Sequence, residues 1–205
     1  MWLRDDRIRT RLYGAVFVTA WLSVVAVGMG SMTVYSTVPG SRGATPSGWP
    51  KSSALELHQD RPTLVMIAHP RCACTRASLQ ELEIILSRTD GRLRSYILFL
   101  YPKGEKKKWV ETDLWKMANR LNGVTVRLDE DGREAGKFGA KTSGHVFMYS
   151  GAGKLIFSGG ITALRGHGGE NAGRSAVISL ANSESANNPT NPVFGCSIFD
   201  PESRS

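Results

Sequence analysis

The apolar positions of this 205-residue chain change pattern along its length. From Leu12 to Val34 there is no charged residue and most positions are apolar, a run long enough to cross a bilayer with some tilt. Ser36 to Ser53 is rich in Ser, Gly, Thr and Pro, with little to bury, and reads as a flexible spacer. After Pro62, short continuous apolar runs alternate with segments of helical period. TLVMIA (63–68) has the length of a buried central strand. In ASLQELEIILSR, Leu79, Leu82, Ile85 and Leu86 recur at intervals of three and four, which marks one face of a helix. SYILFLY from Ser95 to Tyr101 predicts the next buried strand, Trp109 to Leu121 a helix that stops at Asn122-Gly123, and VTVRL a short third strand. HVFMYS and KLIFSG flank Gly151-Ala152-Gly153 and predict an antiparallel hairpin, and a short helix from Ala172 to Leu180 closes the series.

The order is β-α-β-α-β-β-α, which places the chain in the α/β class with a central mixed sheet. Right-handed crossovers and the short hairpin leave few other topologies. The expected division is a cytoplasmic N-terminus at 1–11, a transmembrane helix or uncleaved signal anchor at 12–34, a linker at 35–55, a domain at 56–181 and a tail at 182–205. Arg4, Arg7, Arg9 and Arg11 precede the apolar run and no basic residue follows it until Arg42, so the N-terminus stays inside and the domain is exported. A single-pass membrane protein facing a bacterial periplasm fits this pattern. A cleaved signal peptide is the competing reading, with Gly28 and Gly30 as small residues for processing, but the apolar run exceeds the usual length. Lys+Arg outnumber Asp+Glu by 26 to 18, a formal charge of +8. The basic residues are spread out and lack aromatic interleaving, which argues against nucleic acid as a partner. The run from Lys103 to Lys108 reads as a solvated loop.

Three cysteines cannot all pair within one chain. Cys72 and Cys74 lie two residues apart where the first strand gives way to its helix. There the unpaired N–H groups and the positive dipole end stabilise a thiolate. A disulfide between positions i and i+2 closes a small ring in which standard geometry is hard to reach, so such a bond would be an oxidant or a switch. Arg71 and Arg76 flank the pair, either as thiolate stabilisers or as surface arginines. His69, held extended by Pro70, could be a base, a ligand or a structural histidine. Cys196 sits in VFGCSIF, a small apolar island after the polar stretch NSESANNPTNP. The island is expected to dock on the domain, where Cys196 could meet the C-x-C turn as a resolving thiol or remain structural. The loop from Ile161 to Arg174, with its glycines, two arginines and His167, reads as an anion or substrate contact or as a tight solvated connection.

VMIAHPRCACT resembles the strand-then-cysteine motif of the thioredoxin superfamily. The resemblance implies a thioredoxin-like fold and makes Cys72 the attacking, exposed cysteine. Two departures stand out. The usual C-x-x-C is shortened to Cys72-Ala73-Cys74, and in FGAKTSGHVFMY Gly144 occupies the place of the family's cis-proline, with His145 beside it. The same alignment brings the imidazole of His145 near Cys72, as base or metal ligand. The combination HPxCxCTRASLxEL, SGHV, FSGGIT, RGHxGxNxGR and VFGC is similar to the RedB-type thioredoxin-like proteins of bacteria, and implies a redox assignment.

Two functions of different class follow. In the first the chain is a thiol–disulfide oxidoreductase without a cofactor, acting on protein thiols or disulfides: Cys72 attacks, Cys74 resolves, Cys196 provides a second relay and His145 assists. In the alternative it is a copper-binding module using Cys72, Cys74 and His145, with His69 or His167 as further donors. A non-catalytic redox-sensitive scaffold is the third possibility.

Overall fold

The structure, a computed structural model, describes residues 3–184 and 190–199. It divides into two units, residues 1–38 and 39–205. The first is the helix α1 (Leu3–Thr37). Its stretch from Arg9 to Thr37, which contains an 18-residue window of mean hydropathy 1.9 with no buried residue, is long and apolar enough to span a membrane or to act as a signal sequence.

The second unit is built on one six-stranded sheet. Its members are β1 (Thr63–Ala68), β2 (Arg94–Tyr101), β3 (Val124–Glu130), β4 (Val146–Tyr149), β5 (Leu155–Gly159) and β6 (Thr190–Asn191). The spatial order is β3-β2-β1-β4-β5-β6. β1, β2 and β3 run parallel, β4 is antiparallel to β1 and to β5, and β6 is parallel to β5. All six residues of β1 are buried, as a strand covered on both faces requires. One face carries α2 (Ala73–Thr89), α3 (Asp113–Ala118) and α5 (Ala172–Ala181) over Leu64, Met66, Ile97, Phe99, Val146 and Met148. The other carries α4 (Arg133–Lys137) and the segment of Trp49, Leu55 and Leu57 over Val65, Ile67, Phe147 and Tyr149. Each fully buried aliphatic side chain among these contributes about 1.5–3 kcal/mol relative to exposure. A parallel β-α-β followed by a β-hairpin and a closing helix, with helices on both faces, is the thioredoxin-like fold.

The helices begin and end where local chemistry directs. The run Leu79, Leu82, Ile85 faces the sheet, and α2 stops at Asp90 and Gly91, both left-handed. Asn171 caps α5 by accepting from Arg174 N at 2.8 Å. The helix expected from Trp109 to Leu121 is instead a 3-10 turn (Lys107–Trp109) followed by α3. Thr112 accounts for the break, because its side chain accepts from Trp115 N and starts a new helix there. α4 and β6 are additions that the apolar pattern does not announce.

The segment read as a flexible spacer is laid onto the domain from Gly40 onward. Gly43 N donates to Gly139 O, Trp49 N to Gly153 O, and Leu155 N to Ser47 O. Trp49 packs edge-on against Phe138 and Tyr149. Small residues here permit close backbone approach as well as flexibility, and Trp49 gives the segment something to bury.

Candidate functional site

β1 delivers its chain into the turn His69-Pro70-Arg71-Cys72, and Cys72 is the N-cap of α2 with extended backbone, φ −96° and ψ 125°. No acidic residue lies in the first turn of α2. Cys72 thus stands at the positive end of a 17-residue helix whose own first turn carries no carboxylate. The turn is pinned from three sides. His69 N donates to Ser143 Oγ at 2.9 Å, the Thr75 hydroxyl donates to His69 O at 2.9 Å, and the Thr75 and Ser143 hydroxyls lie 2.9 Å apart. These buried groups tie the end of β1, the start of α2 and the loop before β4 into one network, in which each polar group has a partner.

The three thiols converge. The Cys72 thiol is pulled far below the ordinary thiol range, first by its hydrogen bond with the Cys196 side chain and next by that with Cys74, while burial opposes the shift. Cys74 and Cys196 are pushed the other way: hydrogen bonding to the Cys72 sulfur holds their protons, and burial and the Cys72 charge add to this. Each of these shifts has another cysteine as its first cause, so the three thiols titrate as one coupled set. No disulfide is formed, and all three cysteines are free.

Cys72 was expected to be the exposed thiol, yet it is 2% exposed and Cys74 6% exposed. The tail docks beside this turn: Thr142 and Ser197 form an antiparallel bridge, and Ser143 N donates to Cys196 O at 2.8 Å. Gly195 is required at this crossing, since a Cβ there would lie 1.9 Å from Ser143 O. Gly144 follows in the left-handed region, φ +84°, where any other residue would be strained, and a Cβ there would press on Ser78 Oγ and Phe194 O.

The structure places other anticipated residues differently. His145 points away from the face that carries α2. Its ring stacks on Phe147 at 4.0 Å, and its Nε2 lies 3.0 Å from Ser158 Oγ. Alternation along β4 explains this, because His145 shares its side of the sheet with Phe147 and Tyr149 while Val146 and Met148 face α2. Burial, with the Arg42 charge second, drops its pKa to about 3, so it is neutral. The donor set Cys72, Cys74 and His145 is thus not gathered. Among the described residues no group of three or more His, Cys, Asp or Glu is disposed to hold a metal ion. Arg71 stacks over the Trp109 ring at 4.9 Å, and Arg76 pairs with Asp113. His69 meets Trp109 edge-on.

The arginine that acts on the thiols is Arg165, whose charge lowers the pKa of both Cys74 and Cys196, against their larger upward causes. It stands in a tight turn bridged between Leu164 and His167, with Gly166 left-handed. The backbone of Gly166 bonds to Cys74, and exposed His167 has its Nδ1 2.7 Å from Arg165 O. The loop is held down by a buried ion pair between α2 and α5. Glu81 bonds Arg174 Nη1 at 2.7 Å and accepts from Gly169 N at 2.6 Å. In the sequence the only hint of this was the Arg- and Gly-rich composition of the loop.

No protein-family model matches the chain, and no curated protein matches it in sequence. Among solved structures, a hypothetical protein from Sinorhizobium meliloti 1021 superposes with a TM-score of 0.56 at 18% identity, covering 80% of this chain and 95% of its own. An uncharacterized conserved protein from Geobacillus kaustophilus gives a TM-score of 0.56 at 14% identity, over 80% and 93%. A putative thiol:disulfide interchange protein DsbE from Chlorobium tepidum gives a TM-score of 0.43 at 16% identity, over 71% and 99%. These likenesses concern the fold.

Proposed function

We propose that the chain is a thiol–disulfide oxidoreductase of the RedB type, anchored through α1 with its domain on the outer, periplasmic face, and that Cys72 is its nucleophile. The observation that carries the reading is Cys72 at the start of α2, with Cys74 two residues on and Cys196 held to the same turn through Ser143, which accepts from His69 N and donates its own N–H to Cys196 O. Segments far apart in sequence, HPRCAC, TSGH, RGH and VFGC, meet at this one sulfur or at the network beside it.

In the reductive direction the Cys72 thiolate attacks one sulfur of a partner's disulfide. A Cys72–partner bond forms, and the other partner sulfur leaves as a thiolate and takes up a proton. A second thiol of the chain, once deprotonated, attacks Cys72 Sγ and expels the remaining partner sulfur. Two thiols of the chain are thereby oxidised by two electrons and one disulfide is reduced. Oxidation of a dithiol partner is the same sequence reversed. The positive end of α2 and the two thiol donors supply the thiolate, so no imidazole is needed as base.

Exchange with a model disulfide by the full-length protein in detergent tests this. Cys72→Ser should abolish exchange, and His145→Ala should leave most of it in the folded fraction. A wild-type protein that exchanges with no model disulfide, and that retains near-stoichiometric copper through dialysis, would replace the proposal with the copper module.

A further inference from the structure

The tail does more than bring a third cysteine to the site. Residues 196–198 pair with Lys141–Ser143 through two backbone bonds, from Ser143 N to Cys196 O and from Ile198 N to Lys141 O, the latter at 3.1 Å. Around this pairing the segment is gripped on all sides. Arg165 Nη1 donates to Gly195 O at 2.6 Å, Gly40 N donates to Val193 O at 2.8 Å, and Val193, Phe194 and Ile198 are buried. Bonds that use backbone atoms alone can be made by any extended peptide, with the neighbouring pockets deciding which one fits. The pockets here take a residue without a side chain just before the cysteine and an apolar residue two places after it.

We propose that the edge Lys141–Ser143 is a docking site for an extended, cysteine-bearing peptide segment. Its resident occupant is the chain's own Val193–Ile198, which covers Cys72 and brings Cys196 as the resolving thiol each time it seats. The chemistry rests on the oxidoreductase reading; the cover does not. A partner segment joined to Cys72 needs the space of Cys196 and the N–H of Ser143, so partner and tail exclude one another. When the tail returns, the Cys196 thiol loses its proton to solvent and attacks Cys72 Sγ. The Cys72–Cys196 bond forms, the Cys72–partner bond breaks, and the partner leaves as a thiolate that takes up a proton. Resolution and release of product are then one exchange of occupants on one edge.

Three measurements on the full-length protein in detergent test the proposal. Gly195→Ala inserts a methyl against Ser143 O and should unseat the tail, and Cys196 with it, without removing any of the three cysteines. In the reduced protein, labelling of Cys72 by a bulky maleimide should then rise roughly tenfold or more over wild type, as for any group freed from a local closed state. A fluorescent peptide of residues 190–199 carrying Cys196→Ser should bind Gly195→Ala and not wild type. Peptide mapping after oxidation by a model disulfide should find Cys72 joined to Cys196 in wild type. Equal labelling of Cys72 in the two proteins, or binding of the peptide to neither, overturns the cover. A Cys72–Cys74 product overturns the resolving role. Should Gly195→Ala not fold, Arg165→Gln removes the grip on Gly195 O without adding an atom and carries the same measurements. Labelling and peptide binding need no turnover, so an inactive protein with a seated tail defeats only the oxidoreductase reading, and an active one without a cover defeats only this proposal.

Discussion

Replacing His145 with glutamine should flatten the acid side of the stability profile by one proton. The imidazole is fully buried, stacks on Phe147 and bonds Ser158 Oγ, and burial followed by the Arg42 charge lowers its pKa from 6.5 to about 3. Its charged form is the one the fold disfavours. Above pH 6.5 neither the folded nor the unfolded chain protonates this side chain, and it has no linkage effect. As pH falls from there toward 3, the unfolded chain takes up a proton that the folded chain refuses, and stability is lost at about 1.4 kcal/mol per pH unit. Between about pH 6.5 and 5 the wild type should lose roughly 2 kcal/mol from this residue alone. Glutamine keeps a polar group for Ser158 and has no proton to take up. Urea unfolding of both full-length proteins in detergent, at several pH values in this window and with m checked for constancy, should therefore give stability lines that converge as pH falls. Parallel lines would mean that His145 titrates as in an unfolded chain, and would refute its placement in the dry layer beside Phe147.

Four further outcomes are expected. Cys196→Ala should raise the apparent pKa of Cys72 toward the ordinary value of about 8.5, read from the pH dependence of thiolate absorbance, because the largest support of the thiolate is gone. Glu81→Ala should destabilise the domain by about 3–5 kcal/mol in urea unfolding, since Arg174 is left buried and uncompensated, and Glu81→Leu combined with Arg174→Met should recover much of the loss. Arg71→Ala should leave the Cys72 pKa close to wild type, because its guanidinium lies on Trp109. A reporter fused after Arg42 should be active only outside the cytoplasm, and activity inside would reverse the assigned orientation.

Elements defined by a single strong pattern were legible in the sequence. TLVMIA had the length and β-branched character of a strand buried on both faces, and the spacing of Leu79, Leu82 and Ile85 marked the buried face of α2. VFGCSIF was apolar beyond a polar stretch and had to dock. What stayed hidden depended on contacts between distant segments. β4 is buried at every position, so no polar alternation said which face the preceding His145 would take. The Ser- and Gly-rich composition of residues 36–53 suits a loose spacer and a segment pressed against other backbone equally well; the difference lies in Gly139 and Gly153, about a hundred residues away, which accept its hydrogen bonds. Arg71 and Arg76 were nearest to the cysteines along the chain, whereas the arginine whose charge reaches Cys74 and Cys196 is Arg165, on a loop fixed by contacts with α2, α5 and the tail that no local pattern announces.

The meeting of Cys196 with Cys72 also bears on the entropy of the unfolded chain. A bond between them would close a loop of roughly 120 residues, taking in everything from α2 to the tail, and in the chain-entropy account such a loop removes about 5 kcal/mol worth of freedom from the unfolded ensemble. A bond between Cys72 and Cys74 closes a loop of only three residues, and the same account gives it about 1.6 kcal/mol. The two oxidised forms are therefore thermodynamically unlike even though they share a sulfur. Oxidation through the tail would make the domain markedly harder to unfold, and the gain would vanish on reduction, so that the redox state of one cysteine pair sets the persistence of the whole fold.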